Sequence, residues 1–350
     1  MLTPFPKALA RGESCEVGSA YRHLAVTHAG PRFHADDVVA GAIMAELGYD
    51  VVRSDDPELH ANAAVVFDTG QEYDPERGRF DHHFVDPPTR PLGDPYSSAG
   101  LVWKEFGPYL VEKLLYGCLE QMGTPADTVQ GTRIRGRVVV ADVDIATVVA
   151  TIDRVLIRAV DLTDNAKLVQ NHRSAVTGDT VRVLGLPEAL TMLNPSVVGE
   201  RCVDMRYKTA VILAREILVS LIEAELGSAL SAPSVATATL VEFPDTDRAI
   251  LELPSFRPFH RGLWAREDQE RVHLVMWPDE DTWVLKTPKS APMNDADRFK
   301  FPPPWRDGKD GPPAGVPGDP LFIHPNGFIA RTRTREDALK LGEEAFRWSR

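Results

Sequence analysis

The chain has 350 residues, enough for two domains and a sizeable core. Its formal charge is −12, from 39 Lys and Arg against 51 Asp and Glu. That balance argues against extended binding to duplex DNA, which needs basic side chains on phosphates, but leaves room for a short nucleic acid held by a local basic patch and metal ions.

Hydrophobic residues are 43% and charged residues 26% of the chain. No run of about 18 apolar residues occurs, so neither a membrane span nor a membrane partner is expected. The N-terminal stretch lacks the apolar core of a signal peptide. Cys15, Cys118 and Cys202 are widely spaced and read as free thiols in a reducing cytoplasm.

Residues 1–20 read as a loose arm. His23–Thr27 reads as a buried strand ending at His28, and a helix is expected from about His34 to Leu47, with Gly48 as its C-cap. Val51-Val52 and Ala63–Phe67 are two further strands, the second delivering Asp68 at its carboxyl end. Strand, helix and strand in alternation imply an α/β fold with a parallel sheet, whose ligands collect beyond the carboxyl ends of the strands.

Pro87–Tyr96 is a proline-rich loop, and Ser97 or Ser98 caps a long helix reaching about Met122. Gly123–Arg137 reads as turn-rich, Ile145–Val160 as helical, and Tyr207–Leu226 as a helix followed by a linker at Ser228–Ser234. From Ala236 on, short apolar runs suggest a small antiparallel sheet. After a segment dense in proline and glycine, Leu321–Arg333 reads as strand, Pro-Asn-Gly turn and strand. A terminal helix follows, capped by Thr334. The organisation expected is an arm (1–20), a metal-binding domain (21–230) and a smaller α+β domain (236–350).

Chemistry concentrates in four segments: T-H-A-G-P-R-F-H-A-D-D (Thr27–Asp37), V-V-F-D-T-G (Val65–Gly70), F-D-H-H (Phe80–His83) and A-V-D-L-T-D-N (Ala159–Asn165). His and Asp recur where apolar runs stop. Imidazole and carboxylate without thiolate suit Mn²⁺, Mg²⁺ or Zn²⁺, and convergence of several would hold two ions, the apparatus for hydrolysing a phosphoester. Candidate ligands are His28, His34, Asp36, Asp37, Asp68, His82 and His83, with Asp68 placed to bridge. One of Asp36 and Asp37 can instead support a ligand. Asp161 and Asp164 sit at a helix C-terminus, where acids oppose the dipole, so either is a candidate. Asp142 and Asp144 read as solvated or capping, and His260 and His273 as packing residues. His324, Asn326, Gly327, Arg331 and Arg333 form a second constellation suited to substrate phosphates.

These segments resemble the MYG-one family, a branch of the DHH-type metal-dependent phosphoesterases. The chain offers THAGPRFHADD, DTGQEYD, FDHHF, YSSAG, VDLTDNA, LNP, PPPWRDG and FIHPNGFIARTRTREDA, in the family's order, from about residue 24 to 346. It departs from the pattern in an extra residue between His28 and His34, Asp37 for Glu, Phe84 for Gln, and Ala166 for Gly. The resemblance carries the metal set onto His28, His34, Asp36, Asp68, His82 or His83, and Asp161 or Asp164. It implies a DHH-type phosphoesterase domain and a 3′–5′ exonuclease-like phosphodiesterase using two Mn²⁺ or Mg²⁺ ions on RNA or short oligonucleotides. Catalysis would rest on Asp68, His82 and His83. Rival readings are a small-molecule phosphatase or pyrophosphatase, and a degenerate member that binds nucleotide or protein; a homodimer is compatible with the sequence.

Overall fold

A computed structural model describes residues 23–121, 123, 132–134, 137–140, 143–168, 177–178, 180, 184–196, 202–292, 294–307 and 311–349. The expected arm at 1–20 and Asp142 lie outside these residues. The chain divides into two compact units, Met1–Leu226 and Gly227–Arg350.

The first unit is built on a sheet of order β2-β1-β3-β5-β4. Its strands are β1 (Leu24–Thr27), β2 (Asp50–Arg53), β3 (Val65–Phe67), β4 (Tyr73–Asp74) and β5 (Arg79–Phe80). β1 pairs in parallel with β2 and β3, and β3 with β5; β4 alone runs antiparallel, against β5. Helix α1 (Ala35–Glu46) makes the β1–β2 crossover and is buried from Ala35 to Met44. Helix α2 (Pro57–Asn62) joins β2 to β3. A strand flanked on both sides and covered by helix has no wet face, so Ala25, Val26, Val65, Val66 and Phe67 are all apolar and buried.

Helix α3 (Ser98–Gln121) packs against α1. Gly123–Arg137, expected as turns, contains a strand: β6 (Thr132–Ile134) pairs antiparallel with β7 (Arg137–Val140), which pairs with β8 (Val143–Asp144). Asp144 caps helix α4 (Ile145–Ile152) by accepting from the Ala146 N–H at 3.1 Å, the capping role expected of it. A π turn at Asp153–Ile157 leads into α5 (Arg158–Asp164), and α6 (Leu186–Thr191) follows. Helix α7 spans Val203–Ala236, so the Ser228–Ser234 linker expected from small polar residues is helical. Ala229, Leu230, Ala232 and the serines weaken a helix little if at all, and Pro233, the strong breaker in this segment, sits within the last turn, so the helix runs on to Ala236.

The second unit carries a sheet of order β13-β14-β12-β11-β10-β9. Its strands are β9 (Thr239–Glu242), β10 (Ala249–Glu252), β11 (Val272–Asp279), β12 (Thr282–Lys286), β13 (Phe322–Ile323) and β14 (Ile329–Thr332). It is not purely antiparallel: β10 and β11 run parallel, because the long connection through helix α8 (His260–Trp264) crosses over instead of turning back. Helix α9 (Arg335–Trp348) is capped by the Thr334 hydroxyl, which accepts from the Asp337 N–H at 3.1 Å. Ala338, Leu341, Ala345 and Phe346 of α9 pack with Leu274 and Met276 in one apolar cluster. Phe259 and Leu263 pack with Val275 and Trp277 in the other. Both clusters draw on alternate residues of β11, as a covered sheet requires.

Candidate metal centre

Three parallel strands of the first unit end on the same edge. β1 runs into His28, β3 into Asp68, and β5 into Asp81, His82 and His83. The first turn of α1 brings Asp36 and Asp37 to that edge, and the end of α5 brings Asp164. Asp68 takes a left-handed backbone, φ 56°, anchored by its N–H on the Phe80 carbonyl at 3.2 Å. Aspartate tolerates that region better than most residues, yet holding it there still costs about 1 kcal/mol or more.

Asp68 divides its oxygens between two clusters. Oδ2 lies 3.4 Å from His28 Nε2, which is 3.2 Å from Asp37 Oδ2. Oδ1 lies 3.5 Å from His82 Nε2 and 3.6 Å from His83 Nδ1. His82 Nε2 is also 3.7 Å from Asp36 Oδ2 and 3.4 Å from Asp164 Oδ2. Among the described residues, three sets place one ligand atom from each member within 4.8 Å of the others: His28, His34 and Asp68; Asp68, His82 and His83; His34, Asp36 and Asp164.

Asp36 and Asp37 are fully buried, and neither carboxylate oxygen of Asp36 nor His82 Nε2 makes a hydrogen bond. So many buried acids repel one another. Burial, and then the charges of Asp68, Asp164 and Asp37, push Asp36 well above the usual carboxylate range. Burial raises Asp37 to about 6 and also lifts Asp164. Burial works the same way on Asp68, but the imidazoles of His28 and His82 beside it overcome it and hold that carboxyl low. Hydrogen bonds to Asp37, then Asp68, take His28 up to about 10. Divalent cations would replace those protons and satisfy the orphaned atoms. Oxygen and imidazole donors in this number suit Mn²⁺ or Mg²⁺, so the residues present fit the metals expected.

The remaining polar residues brace this set. Asp81 Oδ1 accepts from the backbone N–H of His82 and His83, at 2.7 and 3.1 Å, and lies 2.8 Å from His83 Nδ1. That fixes the His-His pair, and the hydrogen bond to Asp81 raises the His83 pKa. The Ser98 hydroxyl donates to Asp68 Oδ1 at 3.2 Å.

Asp161 and Asp164, alternatives in sequence, separate in space. Asp164 joins the cluster, whereas Asp161 accepts from Ser97 N–H (3.1 Å), Ser97 Oγ (2.6 Å) and Gly100 N–H (3.0 Å) at the start of α3. Its other oxygen takes the Arg90 guanidinium at 2.6 Å. A Cβ on Gly100 would fall 2.1 Å from Asp161 Oδ2, so the glycine of YSSAG makes room for this carboxylate. Ala166 has φ 53°, which explains why the resembling pattern carries glycine there. A cavity of about 340 Å³ adjoins the cluster, walled by His34, Ala35, His83, Thr163, Asp164 and Thr191.

The second constellation lies in the second unit, on the β13–β14 hairpin. Gly327, at φ 73°, closes the turn with its N–H on the His324 carbonyl at 2.7 Å. The Asn326 N–H donates to His324 Nδ1 at 3.0 Å. The face of Gly327 is covered by the Arg306 guanidinium, since an added Cβ would sit 2.7 Å from Arg306 Nε. Arg331 points off the sheet and pairs with Asp279 at 2.7 Å, and Arg333 is exposed just beyond the strand.

The sequence names every member of the cluster but not its supports. Asp81 reads there as a third potential metal-binding side chain beside His82 and His83, not as their brace, and Ser98 only as a helix cap. Asn194 stands in LNP without a role; its amide brackets the backbone of Phe33, next to His34.

Residues 24–346 match the family model MYG1_exonuc, described as Uncharacterised protein family (UPF0160). The chain is 25% identical over 337 residues to the MYG1 protein of Schizosaccharomyces pombe, covering 91% of this chain and 96% of the relative. It is 28% identical over 342 residues to the human MYG1 exonuclease, covering 90% and 83%. Two solved structures give low overlap: a Vibrio cholerae pGpG-specific phosphodiesterase, PggH, has TM-score 0.26 at 10% identity over 93% of this chain and 97% of that one. Exonuclease RecJ bound to manganese has TM-score 0.23 at 16% identity over 100% and 95%. The extent of the family match settles membership: the chain belongs to the MYG1 family (UPF0160).

Proposed function

We infer that the chain is a metal-dependent phosphodiesterase of exonuclease type, working in the 3′–5′ direction on RNA or short oligonucleotides in a reducing, cytoplasmic setting. The observation that carries the reading is the division of Asp68, one oxygen toward His28 and the other toward His82. A carboxylate so shared suits a bridge between two cations. His28, His34 and Asp68 would hold one ion; Asp68, His82, Asp36 and Asp164 would hold the other. Bound there, two divalent cations would acidify a water and offset the charge of the phosphate.

The chain's own residues do the rest. Asp81 keeps Nδ1 of His83 engaged, so the exposed edge of that ring faces the cavity in a fixed orientation. Ser98 holds the Asp68 carboxylate against rotation. His324, Asn326, Gly327, Arg331 and Arg333 are proposed to bind substrate phosphates. The Arg331–Asp279 pair is half-exposed and weak, so exchanging it for a phosphate costs little. The names of the human and other mammalian relatives, MYG1 exonuclease, support the activity.

The cavity is small, about 340 Å³, which favours one second reading, a small phosphorylated substrate. The test is turnover by the purified chain with Mn²⁺ or Mg²⁺ on 5′-labelled short RNA, the matching DNA, a dinucleotide and pyrophosphate. Stepwise shortening of RNA from its 3′ end supports the reading. Cleavage of pyrophosphate alone replaces it with the second, and no metal-dependent turnover of any substrate overturns both.

A further inference from the structure

The loop Thr27–His34 carries His28 and His34 into the cluster, and side chains tie its backbone at both ends. The Ala29 N–H donates to Asp55 Oδ1 (2.9 Å) and the Gly30 N–H to His28 Nδ1 (3.2 Å). Arg53 reaches the Gly30 carbonyl. These ties lie at exposed or half-buried positions. At the far end the bonding is buried. The Phe33 N–H donates to Asn194 Oδ1 at 2.9 Å, and Asn194 Nδ2 donates back to the Phe33 carbonyl at 2.7 Å. One amide side chain thus pairs with both polar groups of one residue, as a neighbouring strand would. Asn194 Nδ2 also donates to the Thr191 carbonyl at 2.9 Å, tying the bracket to the cavity wall. Asn194 is only 6% exposed, and Phe33 is fully buried beside the Tyr207 ring.

His34 follows Phe33 directly. Its side chain is exposed, so packing does not aim it; its backbone does, held by Phe33 on one side and, through the capping box, by its own N–H on Asp37 Oδ1 at 3.0 Å on the other. His34 and Asp68 are the two residues that enter two of the three candidate ligand sets. An error in the direction of His34 would therefore weaken both. The amide is matched to its task. Its oxygen accepts one N–H and its nitrogen donates to two carbonyls, whereas an aspartate would turn a second acceptor on the Phe33 and Thr191 carbonyls.

We propose that Asn194 is a positioning residue for the metal centre, acting through Phe33 on His34. The proposal rests on the metal-dependent reading of the cluster. The test is Mn²⁺ titration of the full chain, followed by the electron paramagnetic resonance of free Mn²⁺, for wild type, Asn194→Asp, Asn194→Ser, His34→Ala and His34→Ala with each Asn194 change. Each Asn194 variant is expected to weaken Mn²⁺ binding about ten- to a hundredfold, with Asp worse than Ser. In the His34→Ala background the same changes are expected to have no further effect, since the pathway is already cut. A merely structural loss would lower affinity in both backgrounds. Wild-type affinity in both Asn194 variants, or equal losses with and without His34, overturns the proposal and leaves the phosphodiesterase reading intact. Mn²⁺ binding without turnover of any phosphodiester overturns that reading and leaves the proposal standing. A wild type that takes up no Mn²⁺ overturns both.

Discussion

Two histidines show how differently the two units treat the same side chain. His28 stands against Asp37 and Asp68 and is driven up to about 10. His260, in the second unit, is driven down to about 4, first by burial and then by the charges of Lys286, Lys289 and Arg298. Its Nε2 accepts the Lys289 N–H at 3.2 Å, which only the unprotonated ring can do. The first environment is acidic, buried and short of donors. The second is cationic, and its imidazole has a backbone partner. Nothing in folding alone favours collecting Asp36, Asp37, Asp68 and Asp164 at one strand edge, because each burial raises the cost of the next. Divalent cations held there, as proposed above, would account for the cluster. The histidine of the second unit is explained by its neighbours in the chain.

The largest break in that contrast should come at Asp68. Asp68→Asn keeps the shape but removes the charge and turns one acceptor oxygen into an NH2 donor, and hydrolysis of short RNA should fall by about a thousandfold or more with the fold retained. Retained turnover under saturating Mn²⁺ would remove Asp68 from the centre; an unfolded circular dichroism spectrum would make its role structural.

Next come the adjacent histidines. His82→Ala should raise the Mn²⁺ concentration needed for half-maximal rate by about ten- to a hundredfold, because its buried Nε2 faces three carboxylates. His83 is half-exposed and tied to Asp81, so His83→Ala should move the metal requirement less. Unchanged metal dependence in both variants would reduce the pair to a surface feature.

The hairpin arginines should give a smaller effect of another kind. Arg331→Ala or Arg333→Ala should raise KM for short RNA about tenfold, leave Mn²⁺ affinity unchanged and flatten the salt dependence of KM. If KM and its salt slope stay at wild-type values in both variants, neither arginine binds substrate, and Arg331 serves its contacts with Asp279 and Thr282.

The smallest effect is on stability, at His260. The folded ring stays neutral down to about 4, while the unfolded ring takes its proton near 6.5. Between those values the unfolded chain binds more protons, so stability falls as pH drops through that window. His260→Gln should flatten this part of the urea midpoint against pH. An unchanged profile would assign the acid sensitivity to other groups.

Much of the fold and of the cluster is legible in the sequence, for identifiable reasons. The β1–α1–β2 and β3 segments are continuous apolar runs with polar punctuation, so the apolar pattern alone places their ends, and with them His28 and Asp68. It does not divide Asp161 from Asp164. The two are one turn apart on α5, and the partners that separate them, Ser97, Gly100 and Arg90, come from a distant part of the chain. The parallel pairing of β10 and β11 is hidden for a related reason: strand direction depends on the path of the connection, which leaves no mark in the apolar pattern. Asn194 is invisible as a support because a lone asparagine before proline reads as a turn residue until its partner, Phe33, is known.

The most direct test of the central claim is a crystal of the wild-type chain grown with Mn²⁺ and measured at the manganese absorption edge. The account predicts two anomalous peaks, one on each side of the Asp68 carboxylate, the first within bonding reach of His28 and His34 and the second of His82, Asp36 and Asp164. A map with no peak at Asp68, under conditions where the protein turns over its substrate, would contradict it.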